Sequence, residues 1–101
     1  MKGARIVVPP VVVAETHRGS RVSARIDYLL ARAVVPDTDL DLARSAGRLL
    51  AETGGVNAAD ALVVAEAIRE APCVLLTGDP DDIRLLAAGL AGIGVIDINA
   101  L

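Results

Sequence analysis

The sequence has no phenylalanine and no tryptophan, and Tyr28 is its only aromatic residue. A core without rings must be assembled from Val, Leu, Ile and Ala packed between regular elements, which favours a layered α/β fold. The lone cysteine, Cys73, excludes a disulfide framework or a cysteine-ligated zinc site within one chain and points to a cytoplasmic protein. Set in an apolar run, it reads as an inert small hydrophobe. The apolar stretch from Ile6 to Ala14 is far short of the roughly 20 residues that span a bilayer. It is interrupted by Pro9 and Pro10 and lacks a small-residue cleavage site, so neither a membrane span nor a signal peptide is expected. Glycines 89, 92 and 94 precede a strand rather than join strand to helix, so a dinucleotide fingerprint is absent. No internal repeat, low-complexity tract or linker is visible.

What remains is 101 residues, 53% of them hydrophobic, enough for one domain with a real core and too few for two. The mean hydropathy of +0.54 points to strands buried on both faces or to apolar surface kept for a partner, and a homodimer or a bound partner chain is expected. A net charge of −3 argues against a general nucleic-acid coat but leaves room for a local basic groove beside an acidic site.

Ile6 to Val8 read as a buried strand stopped by Pro9-Pro10; Val11 to Val13 either extend it or open a helix whose far end carries Glu15. Beyond the turn residues Gly19 and Ser20, Val22, Ile26, Leu29 and Leu30 mark an amphipathic helix with Arg21, Arg25 and Arg32 on its polar side. Ala33 to Val35 form a short apolar run. Thr38 and Asp41 resemble a capping box opening a helix with Leu42, Ala46, Leu49 and Leu50 inside, broken at Gly54-Gly55. Asn57 with Asp60 caps the next helix, which runs to about Glu70 with Ala61, Leu62, Ala65 and Ile68 inward. Cys73 to Leu76 form a strand, Asp81 to Ala91 a helix with Ile83, Leu86, Ala87 and Leu90 inside, and Val95 to Ile98 a last strand. The alternation predicts a mainly parallel sheet flanked by helices, with the functional crevice at the carboxyl ends of its strands.

The residues best suited to chemistry are acids near those ends: Glu15, Asp60, Asp79, Asp81 and Asp82. Hard divalent cations take such oxygen ligands, and Mg²⁺ or Mn²⁺ on converging carboxylates can assist phosphodiester hydrolysis. Each acid also has a plain structural reading. Asp60 can complete the Asn57 cap, and Asp79-Pro80 followed by Asp82 is a ready helix opening. Glu15 ends an apolar run, where burial would be costly unless it were paired or metal-bound, or else it lies at the surface. Arg18, Arg21 and Arg25 can hold RNA phosphates beside the acids or form a solvated helix face. His17, the only histidine, has no acid clearly placed to orient it and reads as a surface residue. An α/β binding domain in which Asp79 merely caps a helix also fits these spacings.

Three phrases in order, Val-Pro-Pro-Val-Val-Val-Ala-Glu-Thr-His-Arg-Gly (8 to 19), Asn-Ala-Ala-Asp-Ala-Leu-Val-Val-Ala (57 to 65) and Leu-Thr-Gly-Asp-Pro-Asp-Asp-Ile (76 to 83), resemble the PIN domain family. The resemblance, from about Arg5 onward, is closest to bacterial VapC-type toxins. It implies a single three-layer PIN-like domain over 1–101 that acts as a Mg²⁺- or Mn²⁺-dependent endoribonuclease neutralised by an antitoxin protein. By this resemblance Glu15, Asp60 and Asp79 would be the catalytic acids and hold the metal, with Asp82 auxiliary. The chain departs from the pattern in opening Met-Lys-Gly-Ala-Arg, where the family has a strand carrying an aspartate, and in Asn57, where relatives often have another aspartate. The first, usually central strand is therefore expected to be missing. Its neighbours would need to pair directly, exchange strands in a dimer or recruit a separate peptide. A non-catalytic remnant that binds an antitoxin-like peptide or a second copy is the alternative reading.

Overall fold

The computed structural model describes residues 5–17, 21–54 and 57–100. Strand β1 (Arg5–Val7) leads into α1 (Pro10–Thr16), and α2 (Arg21–Leu30), α3 (Leu40–Thr53) and α4 (Ala58–Glu70) follow. Strand β2 (Cys73–Thr77), α5 (Pro80–Ala87), β3 (Ile93–Asp97) and a 3-10 turn (Ile98–Ala100) complete the order. The sheet is parallel, in the order β1-β2-β3. Helices flank it, so the molecule is α/β, as the alternation of periodicities predicts, and the arrangement is compatible with three layers.

Strands β1 and β2 are direct neighbours: Arg5, Ile6 and Val7 stand opposite Cys73, Val74 and Leu75. On the other side of β1, the apolar run 33–35 contributes a single parallel bridge, with the Val34 amide donating to Ile6 O at 2.8 Å and the Val8 amide to Val34 O at 3.0 Å. β1 is thus hydrogen-bonded on both sides, which satisfies backbone groups that burial would otherwise leave unpaired.

The choice left open at Val11 falls to helix. Pro9 takes the cap position of α1 and Pro10 its first turn, where a missing amide costs nothing. Helix α4 organises the core because it is buried on nearly every side. Val63, Val64 and Ala67 pack with Val7, Val12, Leu75, Ile83 and Ile98, whereas Ala61 and Ala65 pack with Leu42 and Ala46 of α3. With apolar residues facing two neighbours, helical spacing cannot identify one inward face. Ile68, expected inside, is exposed, and Glu66 is fully buried.

Two further boundaries move. The α3 cap is Asp39 rather than Thr38: its Oδ1 accepts from the Leu42 amide at 2.9 Å. Helix α5 ends at Ala87, short of Ala91, because Gly89 and Gly92 both adopt φ of +83°, which leaves Leu90 exposed. Ile98, expected to end the last strand, is buried in the 3-10 turn instead. Gly19, Ser20, Gly55 and the side chain of Val22 lie outside the described residues.

Candidate metal centre

Asp60 and Asp79 stand where two helices begin, and Asp82 lies one turn into the second. Asn57 caps α4: its Oδ1 accepts from the Asp60 amide at 2.8 Å, and its Nδ2 donates to Asp60 Oδ2 at 3.0 Å. The cap expected from Asn57 and Asp60 is therefore real, and it also holds the Asp60 carboxylate. Asp79 occupies the cap position of α5, with Pro80 in the first turn, yet its side chain makes no capping hydrogen bond. Its amide instead donates to the buried Thr77 hydroxyl at 3.1 Å, and its carboxyl contacts that of Asp82.

The packing of α4 against α5 joins these two starts. Asp60, Asp79 and Asp82 each offer a carboxylate oxygen, and these oxygens lie within 4.8 Å of one another. Asp60 is buried and the other two are exposed, so the group opens to solvent on one side. Asp60 and Asp82 also line a cleft of about 610 Å³ with Thr53, Asn57, Leu85, Leu86 and Ala88.

The electrostatics are those of crowded like charges. Burial raises the Asp60 carboxyl above the usual range, and the charges of Asp79, Asp82 and Glu15 raise it further against the Asn57 amide. Asp79 is also raised, first by partial desolvation, then by the charge and carboxyl contact of Asp82 and by Asp81. Helix-start dipoles offset part of this repulsion. Three hard oxygen donors over this span suit a small divalent cation.

Glu15 lies exposed in the last turn of α1, outside the 4.8 Å group, but its charge is felt at Asp60. Asp81 is exposed and sits 3.6 Å from Arg84 on its own helix. Arg18 and the side chain of Arg21 lie outside the described residues; Arg25 is exposed on α2 and engaged in an interaction of its own. His17 does meet an acid, with Nε2 2.9 Å from Asp27 Oδ1, a pairing made only when α2 folds back beside α1. Cys73 is buried, its thiol raised by burial and directed at Ala67 O, as an inert core residue should be.

Sequence reasoning passed over Asp97 and Asn99 at the carboxyl end of β3. Asp97 stands opposite Thr77 and its Oδ1 accepts from the Asn99 amide at 2.9 Å. An acid at the end of the last strand was the available signal. No helix among the described residues is long and apolar enough to cross a membrane. No family model, no curated protein and no solved structure matches the chain.

Proposed function

We propose that this chain is a Mg²⁺- or Mn²⁺-dependent endoribonuclease of the PIN, VapC-toxin type. The observation that carries the reading is the meeting of Asp60, Asp79 and Asp82, from two separate helix starts, beside the cleft. Crowding three carboxylates destabilises the fold unless something relieves the repulsion, and a bound cation does so. Asp60, Asp79 and Asp82 would hold the ion, with Glu15 adding charge from α1. When bound, such an ion polarises a phosphoryl oxygen and makes a water ligand more acidic. Asn57 keeps the Asp60 carboxylate oriented, and Thr77 fixes the backbone that carries Asp79. Arg18, Arg21 and Arg25 are proposed to hold RNA phosphates.

The test is cleavage of a single-stranded RNA oligonucleotide by the full chain with Mn²⁺, with EDTA, and as the Asp79→Asn variant. Cleavage that needs the ion and disappears in the variant supports the reading; equal cleavage in EDTA refutes it.

One feature favours the second reading, a non-catalytic interaction module. Leu42, Leu49, Ala65 and Ile68 line an apolar groove of about 270 Å³ between α3 and α4, with Leu40 also exposed. An antitoxin protein or a second copy of the chain in a homodimer would cover such a surface. Intact folding without cation binding would favour this reading.

A further inference from the structure

The carboxyl end of β2 is flanked by two side chains from elements far apart in sequence. A Cβ at Gly78 would lie 3.3 Å from Thr16 Cγ2 and 3.6 Å from Asn99 Nδ2. Asn99 therefore packs its carboxamide against the residue immediately before Asp79. Its position is set through its backbone, because the Asn99 amide donates to Asp97 Oδ1 and Asp97 is in register with Thr77. Its side chain is exposed and makes no hydrogen bond to the described residues.

Among the described residues, three other donors are already engaged. Asn57 Nδ2 donates to Asp60, and Arg84 donates to Val95 O and faces Asp81. His17 is paired with Asp27. A phosphodiester approaching three carboxylates brings negative charge into a negative field, so it needs donors at the rim. A carboxamide supplies two N–H groups without adding charge.

We propose that Asn99 is a substrate-binding residue whose carboxamide donates to a phosphate oxygen of the RNA chain beside the acidic cluster. The proposal rests on the phosphodiesterase reading above. A Cβ at Gly78 would meet the Asn99 carboxamide at ordinary contact distance, 3.6 Å, so the carboxamide lies directly beside the backbone that leads into Asp79.

The experiment is steady-state cleavage of a fluorescein-labelled single-stranded RNA oligonucleotide by the full chain with Mn²⁺. Parent, Asn99→Ala, Asn99→Gln and Asn99→Asp are compared, with calorimetric Mn²⁺ titration of each. The backbone contact to Asp97 survives all three substitutions. Loss of one hydrogen bond should raise KM about fivefold to tenfold in Asn99→Ala with kcat little changed. Asn99→Gln should recover part of the loss, Asn99→Asp should be worst, and Mn²⁺ binding by Asn99→Ala should match the parent. An active parent with unchanged KM in Asn99→Ala overturns this proposal and leaves the ribonuclease reading standing, as does loss of Mn²⁺ binding in that variant. A parent that neither binds Mn²⁺ nor cleaves overturns the ribonuclease reading, and this proposal with it.

Discussion

Asn57 holds Asp60 twice, through the backbone amide at 2.8 Å and through the carboxylate at 3.0 Å. The same side chain therefore starts α4 and orients an acid of the candidate centre. Asn57→Ala should cost about 1 kcal/mol in urea unfolding, the usual value of a lost cap. Asn57→Asp keeps the cap acceptor but replaces the donor to Asp60 with a fourth charge. It should lower Tm without divalent cations and tighten Mn²⁺ binding, which calorimetry will read.

Stability without divalent cations should depend on pH in a specific direction. Asp60, Asp79 and Glu66 are all raised above the ordinary carboxylate range. Each holds its proton more tightly folded than unfolded, so its contribution is complete below the unfolded value, near pH 4, and is lost as pH rises through the folded value. Asp39, lowered by the Leu42 amide and Arg69, acts oppositely: its contribution is present above its unfolded value and lost as pH falls through the folded one. The three raised groups therefore withdraw stability as pH climbs from about 4 toward neutrality, and Mn²⁺, which would neutralise the Asp60 and Asp79 charges, should raise Tm more at about pH 7.5 than at about pH 4.

Glu66 and Arg69 tie α4 to the start of α3. Arg69 donates to Glu66 Oε2 at 2.9 Å, to Asp39 Oδ2 at 2.8 Å and to Asp37 O at 2.6 Å, while Glu66 Oε1 is buried without a partner. Removing Arg69 strands a buried carboxylate, so Arg69→Ala should cost about 3 kcal/mol. Glu66→Gln keeps an oxygen acceptor for Arg69 and removes the buried charge, so it should be far milder in the same denaturation measurement.

Gly78 has little room. The Thr16 methyl it faces cannot swing away freely, because the Thr16 hydroxyl donates to Val12 O at 2.6 Å. Gly78→Ala should cost about 1 kcal/mol through this overpacking, and the loss should shrink when Thr16→Ser removes the methyl.

Local signals were legible in the sequence. The Asn57 cap, the proline start at Pro80 and the buried Cys73 strand all depend on residues within a few positions of one another, whereas the strand-or-helix choice after Pro10 stayed open. The convergence of Asp60 with Asp79 and Asp82 was legible only as acids at corresponding ends, since it depends on α4 packing against α5. Long-range contacts explain the misses. Asp39 outcompetes Thr38 as a cap while also bonding Arg69, 30 residues away. His17 gains Asp27 only when α1 and α2 meet. Asn99 reaches Gly78 through the β2-β3 register, which no local periodicity encodes.

The central claim is that Asp60, Asp79 and Asp82 form one cation site. Calorimetric titration of the full chain with Mn²⁺, beside Asp60→Asn, Asp79→Asn and Asp82→Asn variants confirmed as folded by circular dichroism, tests it most directly. The account predicts saturable binding by the parent, abolished in Asp60→Asn and Asp79→Asn and weakened in Asp82→Asn. A folded parent that takes up no Mn²⁺, or variants that bind it as well as the parent, would contradict it.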